Sequence, residues 1–235
     1  MSKTIIITGA SKGIGKAIAL KLFENHSLVL FARSKDKLEE LEQFITKNSG
    51  KCMSFAGDVT NEQDVSEVIS KTIETFGSID VLINNAGIGM YKRIDEFTLT
   101  EFKEILEINT VGPFLMSKYA VPHMITKKQG QIINISSVAG LNGFRGGTAY
   151  SASKFALNGF TESLREDVKD YGIAVTAVCP GGVQTEFGGS HNKADRPFLL
   201  EAEDVAHTIE YLVTESETAN TKLIELKPRK RKEKR

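Results

Sequence analysis

The seventeen residues from Thr4 to Leu20 allow very few folds. They read Thr4-Ile5-Ile6-Ile7-Thr8-Gly9-Ala10-Ser11-Lys12-Gly13-Ile14-Gly15-Lys16-Ala17-Ile18-Ala19-Leu20. A β-branched apolar run, too short and too rich in Ile and Thr for a helix, leads into a turn with three glycines. Ile14, Ala17, Ile18 and Leu20 then recur at helical spacing. Strand, glycine turn and helix in that order form a nucleotide phosphate site: missing side chains let a ligand approach the backbone, and the helix N-terminus offers free N–H groups and a positive dipole end. A plain tight turn between strand and helix has the same local pattern, so the rest of the chain must decide.

Strands and helices alternate to the end of the chain, which argues for a parallel sheet covered by helices on both faces. Strands are expected at Ser27–Phe31, Lys51–Ala56, Ile79–Ile83, Gln131–Ser136, Ile173–Cys179 and Leu223–Leu226. Helices are expected at Lys35–Lys47, from an Asn61 cap through Thr75, at Leu99–Ile108, Val111–Lys127 and Ala149–Asp170, and near Ala202–Val213. No linker or repeat divides the chain, so residues 1–226 are read as one domain, followed by a basic tail at 227–235.

With 235 residues, 40% of them apolar, the chain can bury a sizeable core. No apolar run reaches the roughly 18 residues of a membrane span, and only Lys3 precedes the first strand among cations, so a cytoplasmic protein without a secretory signal is expected. Cys52 and Cys179 fall in strand segments without a CxxC partner and read as reduced core residues. His26, His123, His191 and His207 show no metal-ligand spacing. The thirty basic and thirty acidic residues balance, but seven of the basic ones lie in 227–235 with a single acid. The body 1–226 therefore carries a net −6 and is no nucleic-acid surface.

Several stretches carry chemistry. In an open parallel sheet, ligands bind beyond the C-terminal strand ends, at the switch point between the first and fourth strands. Asn84-Asn85-Ala86-Gly87 ends the fourth strand there: it can lay a cofactor against small residues, or only pin the neighbouring loop. Asp58 can accept from an adenine amino group or serve the next helix as a cap. Tyr150 and Lys154 are four apart and share a helix face. A phenol of pKa ~10 is a poor acid or base at neutral pH. An ammonium ~4 Å away would favour the phenolate by about 4 kcal/mol at an effective dielectric of ~20, roughly a thousandfold in acidity. Ser137 ends the fifth strand and can donate to a carbonyl oxygen or cap a turn. Asn109 interrupts a helical run as a kink, a cap or a site residue.

Taken together, Thr8-Gly-x-x-x-Gly-x-Gly15, Asp58, Asn84-Asn-Ala-Gly87, Asn109, Ser137, Tyr150-x-x-x-Lys154 and Pro180-Gly181 resemble the short-chain dehydrogenase/reductase family, in its order and over nearly the whole chain. The resemblance implies a Rossmann-type α/β fold with a seven-stranded parallel sheet in the order 3-2-1-4-5-6-7. It also implies a metal-free oxidoreductase whose nicotinamide cofactor supplies the hydride. Tyr150 would be the acid for carbonyl reduction and the base for alcohol oxidation, and Ser137 would polarise the carbonyl. Lys154 would hold the nicotinamide ribose and tune Tyr150, with Asn109 organising a water relay behind it. Cofactor contacts would come from Gly9, Ser11, Lys12, Gly13, Ile14, Gly15, Arg33, Asp58, Val59, Asn85, Ala86, Gly87, Tyr150, Lys154, Pro180, Gly181, Val183 and Thr185. The competing class is a protein that binds the cofactor without turnover. Such relatives lose the tyrosine or the lysine, and both are present here.

The cofactor choice rests on the end of the second strand. An NAD site places an acid there for the adenine ribose. This chain has Phe31-Ala32-Arg33-Ser34-Lys35-Asp36, in which Asp36 lies three residues too late and Ser34 can cap the next helix. Arg33 at that position, and Lys12 in the glycine turn facing it, favour the 2′-phosphate of NADP(H). The insert Glu186–Leu200 is short, and its His191, Lys193 and Arg196 can attract an anionic substrate group or simply be solvated. A 3-oxoacyl thioester, a semialdehyde or hydroxy acid, or a pteridine carbonyl all remain open. The tail reads as a disordered solubilising end, with weak polyanion binding as the alternative. The resemblance further implies a homodimer or homotetramer through the two long helices, where Phe114, Leu115, Tyr119, Phe155, Leu157 and Phe160 exceed one buried stripe.

Overall fold

A computed structural model describes residues 2–188, 199–216 and 218–229. The expectations for His191, Lys193, Arg196 and for residues 230–235 of the tail lie outside them. The first strand, β1 (Thr4–Thr8), is buried along its whole length and divides its isoleucines between two layers. Ile5 and Ile7 face one layer and Ile6 the other, as the two-residue period of a strand requires. Around it lie β2 (Ser27–Ala32), β3 (Lys51–Ala56), β4 (Val81–Asn84), β5 (Gly130–Ile135), β6 (Ile173–Pro180) and β7 (Leu223–Leu226). All pair in parallel, in the expected order 3-2-1-4-5-6-7.

The helices are α1 (Gly13–Leu22), α2 (Lys35–Lys47), α3 (Glu62–Phe76), α4 (Leu99–Leu106), α5 (Gly112–Lys127), α6 (Thr148–Val168) and α7 (Ala202–Val213). Ile18, Leu22, Leu38, Leu41, Ile209 and Leu212 put α1, α2 and α7 on the Ile5/Ile7 face. Val65, Ile69, Met116, Ala120 and Val168 put α3, α5 and α6 on the other. Each fully buried aliphatic side chain of this kind is worth about 1.5–3 kcal/mol, so the sheet is held from both sides. No helix among the described residues is long and apolar enough to cross a membrane.

Several boundaries differ from those expected, for local reasons. The fourth strand starts at Val81 rather than Ile79 because the Asp80 carboxylate accepts from Thr4 N–H at 2.7 Å, pinning the entry to the strand. Asn61 caps α3 as expected, accepting from the N–H groups of Gln63 and Asp64 at 2.9 and 3.3 Å. Ser34, by contrast, precedes α2 without a side-chain capping bond. The break expected around Asn109 is a π-helical turn, Glu107–Val111, that carries α4 into α5; such turns recur at functional sites. Cys52 is half-buried and Cys179 fully buried, and neither is in a disulfide. Burial, then the Glu42 carboxylate, pushes the Cys52 thiol up to about 12.

Candidate active site

The C-terminal ends of β1, β4, β5 and β6 open into a cleft of about 1020 Å³. All of the expected site residues line it except Gly15 and Asn109. Both exceptions have a structural explanation. A Cβ on Gly15 would sit 2.3 Å from Gly9 O, so this glycine lets α1 close against the turn behind the cleft. Gly9 itself has φ +64, and its Cβ would come within 2.9 Å of Ala86 Cα. The glycine turn is thus pressed onto the end of β4.

Side chains fasten that contact. Thr8 Oγ1 accepts from the N–H groups of Asn85 and Ala86 at 3.0 and 2.9 Å, while Asn85 Nδ2 donates to Thr8 O at 2.9 Å. Asn84 turns into the sheet and donates to Asn134 Oδ1 at 2.8 Å. The motif thus pins the glycine turn and, through Asn85, Ala86 and Gly87, lines the cleft. No described side chain caps α1 at Lys12, and Lys12, Gly13 and Ile14 at its start line the cleft.

At the adenine end expected from the resemblance, each of the two cations has taken its own carboxylate. Lys12 Nζ lies 3.4 Å from Glu186 Oε2, and Arg33 lies 4.0 Å from Asp58 Oδ2. Asp58 also accepts from Thr60 N–H and Oγ1 at 2.9 and 2.8 Å, closing the turn before α3. Exposed pairs of this kind contribute only about 0–1 kcal/mol, so each cation can exchange its partner for a phosphate.

At the other end, α6 presents Tyr150 and Lys154, both buried. Lys154 does not aim at the phenol oxygen as the helical spacing suggested. Its ammonium donates to Ile135 O at 2.9 Å and lies 5.9 Å from the Tyr150 ring centroid. Burial pulls Lys154 down to about 8 and drives Tyr150 above the ordinary phenol range. The neighbouring Tyr91 raises Tyr150 further, and a hydrogen bond with Ser137 opposes the shift. The expected acidification of the phenol by the lysine is therefore absent here, because desolvation outweighs an ammonium turned toward a backbone carbonyl.

Ser137 caps the turn after β5, one of the two roles expected of it. Its Oγ accepts from Ala139 N–H at 3.1 Å, capping the turn after β5, and it meets the Tyr150 hydroxyl. Asn109 is fully buried and committed to structure. It accepts from Ile88 N–H at 2.8 Å and donates to Ile88 O and Ser153 Oγ at 2.9 and 3.0 Å. It holds the segment past Gly87 and the N-terminal part of α6 in one frame. Sequence reasoning missed Tyr91, Phe144 and Phe187, which also line the cleft. They come from three separate loops and follow no period; a glycine beside each in sequence or space was the available signal.

The sequence pattern of the short chain dehydrogenases matches residues 3–196. The chain belongs to this family. Curated relatives include an uncharacterized oxidoreductase of Thermotoga maritima, 44% identical over 78% of this chain and 73% of its own length. Another, from Staphylococcus aureus, is 34% identical over 96% and 97% of the two chains. Among solved structures, an alcohol dehydrogenase of the archaeon Thermococcus sibiricus complexed with 5-hydroxy-NADP superposes with a TM-score of 0.90 at 27% identity, covering 97% of both chains. A metagenomic short-chain oxidoreductase in complex with NADP gives 0.85 at 31% identity, over 97% and 98%. Levodione reductase gives 0.89 at 26%, over 96% of each. The chain is thus an oxidoreductase of the short-chain dehydrogenase family.

Proposed function

We propose that this oxidoreductase interconverts a carbonyl and its alcohol with NADP(H), using Tyr150 as the acid and base. The observation that carries the reading is the convergence of Ser137, Tyr150 and Lys154 on one cleft, with the buried Lys154 ammonium 5.9 Å from the Tyr150 ring centroid. When bound, the cofactor supplies the hydride. Ser137 orients the carbonyl oxygen and Tyr150 passes it a proton. Burial keeps Tyr150 protonated across neutral pH, so the site starts as an acid, poised for reduction. Alcohol oxidation requires the phenol to lose that proton and climbs with pH. Lys154 holds charge close to the transfer, and Asn109 acts as a positioning residue through Ile88 and Ser153.

The cleft suits a dinucleotide. Its volume of about 1020 Å³ is at the upper end of ligand sites, and a Cβ at Gly87 would crowd Asn109 Oδ1 at 3.1 Å, leaving bare backbone beside Lys154. In this reading the α1 turn (Gly9, Ser11, Gly13 and Ile14) cradles the phosphates and Asp58 with Val59 borders the adenine. Asn85, Ala86 and Gly87 border one side of the ribose and nicotinamide, and Pro180, Gly181, Val183 and Thr185 border the other. The NADP ligands named for two of the similar structures support the choice of cofactor, as do the exposed Lys12 and Arg33.

Arg33→Asp tests this cofactor choice. A charge-assisted contact to phosphate is worth about 1.5–3 kcal/mol, so kcat/KM for NADPH should fall about 100-fold relative to NADH. An unchanged ratio would overturn the assignment.

Assembly through α5 and α6 fits their surface. Phe114 and Phe155 are 46% and 48% exposed, and Phe114 meets Phe160 edge-on at 6.4 Å. Leu115 and Leu157 instead point into the core, and Tyr119 bonds to Glu62 at 3.0 Å, so the apolar face is narrower than expected. Light scattering at micromolar concentration should give a dimer or larger; a monomeric mass would contradict it.

A further inference from the structure

We infer that the carbonyl substrate is an uncharged compound with an aromatic flank, held in an aromatic cup formed by Tyr91, Phe144 and Phe187 beside Tyr150; this rests on the proposed carbonyl reductase activity. Tyr91 stands edge-on to Tyr150 with ring centroids 5.6 Å apart and leans on Phe144 at 5.7 Å. Phe187 approaches Tyr150 from another loop at 5.8 Å. The Tyr150 ring is thus flanked by the rings of Tyr91 and Phe187. Such tilted and edge-on arrangements leave ring faces and edges for a further ring to pack against, and aromatic pairs gain stability beyond their buried area.

The cup is built into the backbone. A Cβ on Gly147 would lie 2.4 Å from the Phe144 ring, and one on Gly89 would lie 2.6 Å from Phe187 and 2.8 Å from the Tyr91 hydroxyl. A Cβ on Gly188 would lie 2.7 Å from Tyr91. Three glycines therefore let three rings lie directly on the main chain. Phe144 is nevertheless 44% exposed, leaving apolar surface that a bound ring would cover.

Among the described residues lining the cleft, every cation already has a partner. The charged side chains among the described lining residues are Lys12, Arg33, Asp58, Lys154 and Glu186. Lys12 pairs with Glu186, Arg33 with Asp58, and Lys154 is bound to Ile135 O. Arg33 follows β2, which is three strand spacings from β5 and Ser137 in the sheet order, or about 14 Å. A carboxylate or phosphate on the substrate beside Tyr150 would have to displace an existing partner or be desolvated without one.

Benzaldehyde, para-carboxybenzaldehyde and propanal form the test set. Conjugation makes benzaldehyde intrinsically less reactive than propanal, so a preference for it must come from binding. With NADPH, kcat/KM for benzaldehyde should exceed that for each of the other two by about 10-fold or more. Phe144→Ala should lower the benzaldehyde-to-propanal ratio at least about 5-fold. Saturation-transfer NMR reads the cup without turnover: benzaldehyde should take up protein magnetisation, less so in Phe144→Ala. A preference for propanal or for the carboxylate, or an unchanged ratio in the variant, would overturn the cup. Oxidation of NADPH with none of the three, alongside magnetisation transfer to benzaldehyde, would sink the reductase reading and leave the cup standing as a binding site.

Discussion

Replacing Lys154 with Met should make the protein more stable at neutral pH while removing most of its activity. The buried ammonium has its pKa near 8, against ~10.4 in an unfolded chain. Below pH 8 both states are protonated and the fold bears the full cost of burying the charge. Between about 8 and 10.4 the unfolded state binds more protons, so stability rises with pH; above that range the cost is gone. The two pKa values correspond to about 3 kcal/mol, from which the lost hydrogen bond to Ile135 O takes back about 1–2 kcal/mol. The unliganded Met variant should therefore gain about 1–2 kcal/mol at pH 7 and lose this pH dependence, while kcat/KM falls by about 100-fold or more. Denaturant titrations at pH 7 and pH 10.5 check it. A variant less stable at pH 7, or a slope that survives the substitution, would show that Lys154 does not bear this cost.

Tyr150→Phe removes the proposed acid and little else. The ring remains, so its contacts with Tyr91 and Phe187 persist. Ser137 still accepts from Ala139 N–H and lies 3.5 Å from Pro180 O, so it is not stranded by the loss of the hydroxyl. Positioned acid–base groups contribute about 10²–10⁴ in rate, and kcat for carbonyl reduction should drop by about that factor. In the unmodified protein, alcohol oxidation should also rise with pH more steeply than reduction, because burial raises the affinity of the phenol for its proton.

The parts of the molecule legible from sequence are those written in local pattern. Ile5–Ile7 and the following glycines announce β1 and α1, and Asn61 announces the start of α3. The family resemblance then supplies the strand order. What remained hidden depends on directions that only packing decides. Four-residue spacing puts Tyr150 and Lys154 on one helix face, yet the lysine turns to Ile135 O, and desolvation reverses the expected effect on the phenol. Lys12 and Arg33 are both at the cleft, yet each has taken a carboxylate from a different segment. Asn109 looked like a break in a helix and is the middle of a π-turn whose amide holds Ile88. The cup of Tyr91, Phe144 and Phe187 joins loops with no common periodicity, so nothing short of the folded chain brings those rings together.

On the proposed reading, Ser137, Tyr150 and Lys154 line a working carbonyl site and not a cofactor sensor. The most direct test follows NADPH oxidation by the native protein and by Tyr150→Phe, with an aldehyde substrate, and measures NADPH affinity on the same samples. The native protein should consume NADPH and aldehyde one for one, while the variant should be about 10²–10⁴ slower with an NADPH Kd within about threefold. Turnover that survives in the variant, or tight NADPH binding with no turnover in the native protein, would contradict it.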